Sequence, residues 1–342
     1  MVKDTNGSFR YLILPTLFKT PEVGFALGLS TSLSFKTSHK NDSLTRTSII
    51  QGIGFATTHE QNVQVVDAGI YFPKEKYILL GQLSHSYFPD KFWGIGETTK
   101  DKNMEHYVYE QVYLSEHLKR KLVKNLWVGV LYEFQSVYHI NYIAGGNFDT
   151  SNFEGKKNYL VSGAGISITH DTRNSSFWPT KGIYLLSQFT NFRKELLSDY
   201  DVLKWITDFR YFKPLLQSKH IFAMQIMNYD TYGNTPLREL ASLGGPNNLR
   251  GFYQGRYRAN SMFSFIGECR FALPGRFSTC VFGGLGSVYN HYKEIALNNF
   301  KYSVGAGLRY SILAKEKLNI RLDYGYSSRY NKGLYITFGE CF

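Results

Sequence analysis

The chain has 342 residues, of which 16% are aromatic and 19% are charged, and its net charge is +12. No run approaches the ~18 consecutive apolar residues that a membrane-spanning helix needs, and 26 Tyr with 26 Phe provide too much buriable surface for a disordered chain. A chain rich in Tyr, Phe and Gly but poor in charge is typical of a transmembrane β-barrel, whose lipid-facing band is flanked by aromatic residues.

Apolar and polar residues alternate with a period of two along most of the chain. Between Tyr302 and Ile312, every second residue is apolar, and the residues between them are Ser, Gly or Arg. Such alternation is expected of a strand with one apolar face. The runs extend for roughly 9–14 residues, longer than soluble strands and long enough for a tilted strand to cross a bilayer. Sixteen strands are predicted, near residues 8–14, 22–36, 44–58, 61–72, 75–88, 104–119, 123–139, 157–171, 181–192, 199–213, 217–230, 261–273, 277–289, 300–313, 316–326 and 333–342.

The connections between these strands alternate in length. Short ones, such as Pro73-Lys74 and Pro274-Gly275, alternate with long ones at 89–103, 140–156 and 231–260. Short periplasmic turns and long external loops are typical of outer-membrane barrels. We therefore predict an all-β fold, a 16-stranded antiparallel transmembrane β-barrel that occupies residues 1–342 as a single domain. Such a barrel is wide enough for its long sixth external loop to fold inward.

The positive charge follows no nucleic-acid-binding pattern. The basic residues are scattered among Tyr and Phe instead of being gathered on one helix or in one tail. We expect this charge to serve the barrel lumen or to face anionic lipid head groups. We expect no nucleic-acid partner.

The sequence contains no catalytic or cofactor-binding motif. There is no G-x-S-x-G elbow, no H-E-x-x-H pair and no P-loop. His170 and Asp171 are adjacent, but neighbouring residues of a strand point to opposite faces. We therefore expect no enzyme activity, no cofactor and no metal. The alternative is a Ser–His pair assembled across neighbouring strands, as in outer-membrane phospholipases.

The three cysteines, Cys269, Cys280 and Cys341, are too few for a disulfide framework. If Pro274-Gly275 is a two-residue turn, Cys269 and Cys280 lie opposite each other on the lipid face. The Cβ atoms of directly opposed residues are ~4.5–5.5 Å apart, which is slightly long for a relaxed disulfide. We therefore expect cross-strand neighbours that stay reduced.

The segment 231–260 contains Leu249-Arg250-Gly251-Phe252, preceded by Gly244-Gly245. An Arg-Gly-aromatic tripeptide after a small aliphatic residue resembles the sixth-loop motif of the BamA/TamA family of outer-membrane barrels, the bacterial surface antigen family. The resemblance covers the whole chain. Other segments that resemble this family are Asp171-Thr172-Arg173-Asn174, Phe265–Phe271, Ser303–Tyr310 and Tyr335–Phe342.

Arg250 would need carboxylate partners inside a barrel, because an unpaired buried charge is costly. Glu268 and Asp323 lie on the polar faces of two predicted strands that follow the loop. We predict that one or both hold Arg250 and lock the loop in the lumen. The alternative is an Arg250 that is solvated in an external loop.

The last predicted strand, 333–342, ends on Phe342. Leu334, Ile336, Phe338 and Phe342 are expected to form one lipid-facing stripe. By resemblance to other barrel C-termini, Phe338 and Phe342 form the C-terminal barrel signal that the insertion machinery reads. Glu340 departs from the aromatic residue often seen at its position.

The resemblance implies a multi-pass β-barrel of the Gram-negative outer membrane that assembles or translocates proteins through a weakly paired seam between its first and last strands. Only about eight residues precede the first predicted strand, fewer than one POTRA module of the family needs. A separate periplasmic or outer-membrane assembly partner would have to supply these modules; without such a partner, a barrel that lacks insertase activity is favoured. Outer-membrane lipids and client proteins are the other expected partners. The alternative is an outer-membrane channel or structural barrel without insertase activity.

Overall fold

The barrel wall is built from sixteen antiparallel strands, and two further short strands lie in one connection. The computed structural model describes residues 9–38, 42, 45–176, 178–215, 220–313, 318–328 and 331–342. The strands are β1 (Phe9–Thr20), β2 (Gly24–Phe35), β3 (Ser48–Thr57), β4 (Asn62–Tyr71), β5 (Tyr77–Phe92), β6 (Glu105–Val123), β7 (Leu126–Asn141), β8 (Tyr159–Asp171), β9 (Gly182–Phe192), β10 (Val202–Leu215), β11 (His220–Gly233), β12 (Ala241–Leu243), β13 (Tyr257–Ala259), β14 (Ser261–Ala272), β15 (Phe277–Tyr289), β16 (Lys301–Leu313), β17 (Leu318–Ser327) and β18 (Lys332–Phe338).

The strands pair in chain order around the ring, β11 pairs with β14, and β1 pairs with β18 to close it. Strands β12 and β13 form a separate two-stranded sheet. Closure leaves no long unpaired sheet edge except where the last pair is incomplete. The predicted all-β fold with sixteen antiparallel barrel strands is confirmed.

The wall has an apolar outer face and a polar inner face, as the period-two pattern predicts. On β16, Tyr302, Val304 and Leu308 are exposed on the outer face, whereas Ser303 and Arg309 are buried on the lumen side. Because successive strand residues point to opposite faces, each strand carries both a lipid-facing stripe and a lumen-facing stripe.

The two ends of the barrel differ in their connections. At the end that we call the turn end, neighbouring strands are joined by segments such as 72–76, 124–125 and 273–276. At the opposite end, the loop end, the connections include 93–104 and 142–158. The longest connection, residues 234–260, also leaves from the loop end and contains β12 and β13. We call it the long connection.

Short helical turns of the described residues lie in the connections. They are α1 (Asn147–Thr150) and the 3-10 turns Pro73–Glu75, Asp101–Asn103, Lys194–Leu196, Tyr292–Glu294 and Leu297–Asn299. No helix in this part of the chain is both long and apolar enough to cross a membrane.

The register between β14 and β15 contradicts the predicted position of the cysteines. The last register pair is Ala272 with Ser278, and the Leu273 N–H donates to the Phe277 carbonyl, so the hairpin closes over the three residues 274–276 and not over a two-residue turn. Arg270 therefore lies opposite Cys280, and Val281 lies opposite Cys269. A shift of one residue moves a side chain to the other face of the sheet. Cys280 is therefore buried on the lumen side while Cys269 faces outward, and both thiols are free.

Candidate functional site

Arg250, in the long connection, is completely buried in the lumen. Its Nη1 donates a hydrogen bond to Asp323 Oδ2 at 2.5 Å, and its Nη2 donates to Glu268 Oε1. The guanidinium carbon is 3.5 Å from the centre of the Phe282 ring, which adds a cation–π attraction. The structure thus brings together the loop cation and both lumen carboxylates that the sequence singled out, Glu268 on β14 and Asp323 on β17.

Three further arginines share these two carboxylates. Arg270 lies 2.8 Å from Glu268 Oε2, Arg321 lies 3.3 Å from Asp323 Oδ2, and Arg309 donates to Asp323 Oδ1. All of these side chains are buried. Sequence reasoning missed the three arginines, although their places on the polar faces of predicted strands were a signal that they face the lumen. Each carboxylate therefore holds at least two guanidinium groups away from bulk water.

The backbone of the long connection approaches the wall closely at Gly251. Gly251 has a φ of 106°, which residues with a side chain rarely adopt. A Cβ atom added to Gly325 on β17 would lie 2.8 Å from the Arg250 carbonyl carbon and from the Gly251 nitrogen. Leu249 and Phe252 are fully buried on either side. In Leu249-Arg250-Gly251-Phe252, Arg250 carries the charge, Gly251 permits the close approach, and the flanking residues pack.

A second group of ion pairs attaches the long connection to another part of the wall. Lys204 Nζ on β10 lies 3.0 Å from Glu239 of the connection and 2.5 Å from Glu133 on β7. Counted around the ring from β1 through β18, β17 is the third strand and β7 is the eleventh of sixteen. The two strands are therefore half a ring apart, and Glu133 and Asp323 lie on opposite walls. The sequence did not indicate this triad, because its members come from three elements with no characteristic spacing.

Asp90, near the loop end of β5, is a third point of attachment. It accepts a hydrogen bond from Tyr253 Oη at 3.0 Å, and Arg238 and Arg258 lie 3.4 and 3.5 Å away. Burial and the nearby charge of Asp90 raise the pKa of Tyr253. The sequence prediction placed Asp90 in a connection, 89–103, whereas β5 continues through it in pairing with β6.

The seam between β1 and β18 is the least paired junction of the barrel. The described residues contain one register pair, Lys19 opposite Ile336, whereas β1 pairs with β2 over its whole length. Strand β18 ends at Phe338, just beyond this pair. The β1 backbone from Phe9 to Thr16 therefore has no β18 residue opposite it. Its free C=O groups, and its free N–H groups except at Pro15, which has none, can pair with another strand.

The long connection bridges this seam from the lumen side. The Gly251 N–H donates to Tyr335 Oη on β18 at 2.9 Å, and the Gln254 N–H donates to Glu22 Oε1 at 2.7 Å in the turn after β1. Burial raises the pKa of Glu22, although Thr20 and Gln254 donate hydrogen bonds to its carboxylate. Residues 251–254 thus contact both sides of a junction that has little pairing of its own.

The residues after β18 turn into the lumen, so the expected lipid-facing stripe is wrong at Phe342. Leu334 and Phe338 are exposed on the outer face. Gly339 then adopts a φ of 77°, and the chain leaves the wall. Phe342 is buried, with its ring centre 6.1 Å from that of Phe212 on the lumen side of β10.

Glu340 provides the physical reason for this turn. Its carboxylate lies 3.4 Å from Arg309 Nε and 3.7 Å from Arg270 Nε. If β18 continued in register, Glu340 would lie on the lipid-facing side with Phe338. A carboxylate is costly to bury in an apolar environment unless it is paired, and the two lumen arginines supply that pairing.

Comparison with known proteins places the barrel in a family. The model of the Omp85 superfamily domain matches residues 18–342. Similar solved structures include BamA from Haemophilus ducreyi lacking POTRA domains 1–3, with a TM-score of 0.63, 14% identity and coverage of 96% of this chain and 70% of that chain. CdiB from Acinetobacter baumannii has a TM-score of 0.61 and 12% identity, with 97% and 59% covered. CdiB from Escherichia coli has a TM-score of 0.62 and 11% identity, with 99% and 63% covered.

No curated protein matches the chain, and the chain spans 59% to 70% of the length of these three solved structures. At 11% to 14% identity the likeness to them shows a common fold. The family model covers nearly the whole chain and confirms the resemblance that the Arg-Gly-Phe segment suggested. The chain belongs to the Omp85 superfamily, and it is an outer-membrane β-barrel of the protein assembly and translocation class.

Proposed function

We propose that this barrel assembles or translocates client proteins by opening its seam between β1 and β18, which the long connection holds from the lumen side. Among the described residues, β1 and β18 share one register pair, Lys19 with Ile336, and this observation supports the proposal most directly. A client strand would pair with the free edge of β1 by strand addition, in which main-chain hydrogen bonds supply the affinity. The step exchanges hydrogen bonds and requires no chemical catalysis.

An open channel or a purely structural barrel fits the lumen less well. The long connection is attached to β5, β10, β14 and β17, and the residues after β18 also lie in the lumen. A lumen filled in this way obstructs free diffusion at rest. Assembly or translocation, in which the wall or the connection moves, is therefore the better-supported reading.

We propose three further properties that rest on the family. Residues 1–342 form one barrel domain, client chains and a separate periplasmic partner act with it, and Phe338 with Phe342 forms the signal for its own insertion. Phe342 would be read before it packs in the lumen. Deleting Phe342 should lower insertion into the outer membrane, and a variant that inserts as well as the native chain would refute the signal.

A disulfide across the seam tests the proposed mechanism. In a chain with its three cysteines replaced, Lys19→Cys with Ile336→Cys places two thiols at directly opposed positions, where Cβ atoms are ~4.5–5.5 Å apart. The barrel is reconstituted in liposomes and given an unfolded eight-stranded test barrel in urea. We expect the oxidised barrel to lose its acceleration of test-barrel folding and the reduced barrel to keep it.

The matched control is Leu308→Cys with Leu322→Cys, an opposed outer-face pair on strands β16 and β17, whose pairing continues without a shift from Ser303 to Ser311. This crosslink should leave the acceleration unchanged, because it closes a junction that has no need to open. Equal acceleration by the oxidised and reduced seam variants would rule out seam opening. Absence of acceleration by the native barrel would rule out assembly of such clients.

A further inference from the structure

The exposed charges at the turn end of the barrel are all positive among the described residues. Exposed cations without an ion pair in this part of the chain include Lys74, Lys76, Arg120, Lys124, Lys181, Lys213 and Arg276. The nearby acids are turned inward. Glu75 is buried and lies 2.7 Å from Arg46, and Asp171 lies 3.0 Å from Arg173.

The loop end has no such excess. Its exposed acids include Glu60, Asp101, Glu154, Glu195, Asp199 and Asp201, and exposed lysines such as Lys102 and Lys194 lie among them. The outer face of β6 carries an exposed Glu116, but it lies four residues from Arg120 towards the loop end, too far along an extended strand for an ion pair. The net charge of +12 is therefore distributed unevenly along the barrel axis.

Two of these cations adjoin the same register pair. Gly182 and Phe212 are the last register pair of β9 and β10, and Lys181 and Lys213 directly follow them at the turn end. Phe212 faces the lumen, so Lys213 faces outward. Like charges on neighbouring strands are destabilising by themselves, and an anion between them would remove the repulsion.

Exposed apolar side chains lie beside the cations. They are Phe72, Leu122, Val123, Leu273 and Phe277, all of them 39% to 62% exposed. Lys and Arg commonly lay their aliphatic chains along apolar surface and keep the charged group in the polar layer. Cations next to exposed apolar residues at a strand end are the arrangement found at the boundary between acyl chains and head groups.

We propose that the turn end of the barrel binds anionic phospholipid head groups, with Lys181 and Lys213 sharing one phosphate. Two observations favour a lipid over an acidic protein. The cations are spread around the ring, from the β4–β5 connection to the β14–β15 connection. Arg120 and Lys213 are on the outer wall, where a bilayer covers the surface. The bound leaflet is the one that meets the turn end, which is the periplasmic leaflet in this family.

Spin-labelled lipids measure the preference of the barrel for anionic head groups directly. The full chain is reconstituted in dioleoylphosphatidylcholine vesicles that contain spin-labelled phosphatidylglycerol or spin-labelled phosphatidylcholine. Electron paramagnetic resonance then gives the relative affinity of the barrel for the two labels. We expect the native barrel to prefer phosphatidylglycerol at low salt and to lose the preference at 1 M NaCl, where the Debye length is about 3 Å.

Lys181→Gln with Lys213→Gln should lower the preference roughly twofold to fivefold, and adding Arg120→Gln and Arg276→Gln should lower it further. The control Lys102→Gln with Lys194→Gln removes two exposed lysines at the loop end and should change nothing. Lys181→Arg with Lys213→Arg keeps both charges and should keep the preference. Heat-dependent gel migration verifies that each variant is folded.

A native barrel without preference for phosphatidylglycerol would overturn the proposal, and an acidic protein would then be the better partner for this surface. Equal losses in the turn-end and loop-end variants would overturn it as well, because the effect would then follow total charge and not position. Neither result depends on the seam, so the proposed assembly function is tested separately by the seam disulfide.

Discussion

Arg250 shows how one side chain can set the position of a long segment. Its guanidinium is fully buried, and moving it there from water is favourable only because Glu268 and Asp323 lie within hydrogen-bonding distance. The carboxylates are also held by Arg270, Arg309 and Arg321. Removing Arg250 therefore leaves no carboxylate without a cation, while the connection loses its attachment to β14 and β17.

Arg250→Ala should lower the free energy of unfolding by about 3 kcal/mol, the lower end of the range for breaking a buried ion pair. It should also make the long connection sensitive to protease. The control Arg193→Ala removes a guanidinium that is 48% exposed and paired with Glu195, and it should cost less than about 1 kcal/mol. A connection that stays protease-resistant without Arg250 would show that the charge does not hold it.

Gly325 tests the close approach of the same segment. A methyl group at Gly325 would meet the Arg250 carbonyl carbon and Gly251 nitrogen at 2.8 Å, and backbone atoms cannot rotate away. Gly325→Ala should therefore destabilise the barrel by roughly 1–3 kcal/mol and increase cleavage in the connection. Gly54→Ala is the matched control, because a Cβ there has no atom within 4 Å. Equal stability of the two variants in urea titrations would contradict the close contact between Gly325 and the backbone of the long connection.

At the scale of whole strands, period-two alternation was sufficient to predict the sixteen strands and their apolar faces. It could not predict register, because register depends on turn geometry. The hairpin closes over the three residues 274–276, which puts Cys280 opposite Arg270. A two-residue turn would have put Cys280 opposite Cys269. Alternation was also unable to predict where β18 ends. The chain turns into the lumen there because Glu340 pairs with Arg270 and Arg309, which are distant in sequence.

Glu340→Ala should loosen the residues after β18. The variant removes the carboxylate that lies near Arg309 and Arg270. The residues after β18 therefore lose this polar attachment in the lumen. In a chain with Cys269→Ser and Cys280→Ala, maleimide labelling of the buried Cys341 should then accelerate, roughly tenfold or more for a lost interaction above about 1.4 kcal/mol. Glu195→Ala, at an exposed position, should leave the labelling rate unchanged. Slow labelling in both variants would show that the Glu340 carboxylate does not hold the segment.

At the scale of the whole molecule, the long connection crosses the lumen between opposite walls. Arg250 attaches it to β14 and β17, Lys204 joins its Glu239 to β10 and β7, and Asp90 attaches it to β5. The sequence indicated the first attachment, because the Arg-Gly-Phe segment resembles a known motif. It gave no sign of the other two, which depend on pairings between distant strands that have no local pattern.

These three attachments should act together to keep the lumen closed. They share no side chain, so their contributions to stability are expected to be close to additive. The barrier to ion flow should respond differently, because a connection that keeps two of these attachments, and its hydrogen bonds to Tyr335 and Glu22, still lies across the lumen. Arg250→Ala, Lys204→Ala and Asp90→Ala, each alone, should therefore keep the low single-channel conductance of the native barrel in planar bilayers.

The triple variant should reach the conductance of a barrel that lacks residues 236–256, because the segment can then swing out of a lumen as wide as sixteen strands allow. Arg193→Ala with Lys194→Ala, which removes two exposed cations at the loop end, should conduct like the native barrel. If Arg250→Ala alone conducts as much as the deletion, a single attachment closes the lumen. If the triple variant conducts no more than the native barrel, the three charged attachments do not keep the connection inside. Packing of residues such as Leu249 and Phe252 and the hydrogen bonds to Tyr335 and Glu22 then do so.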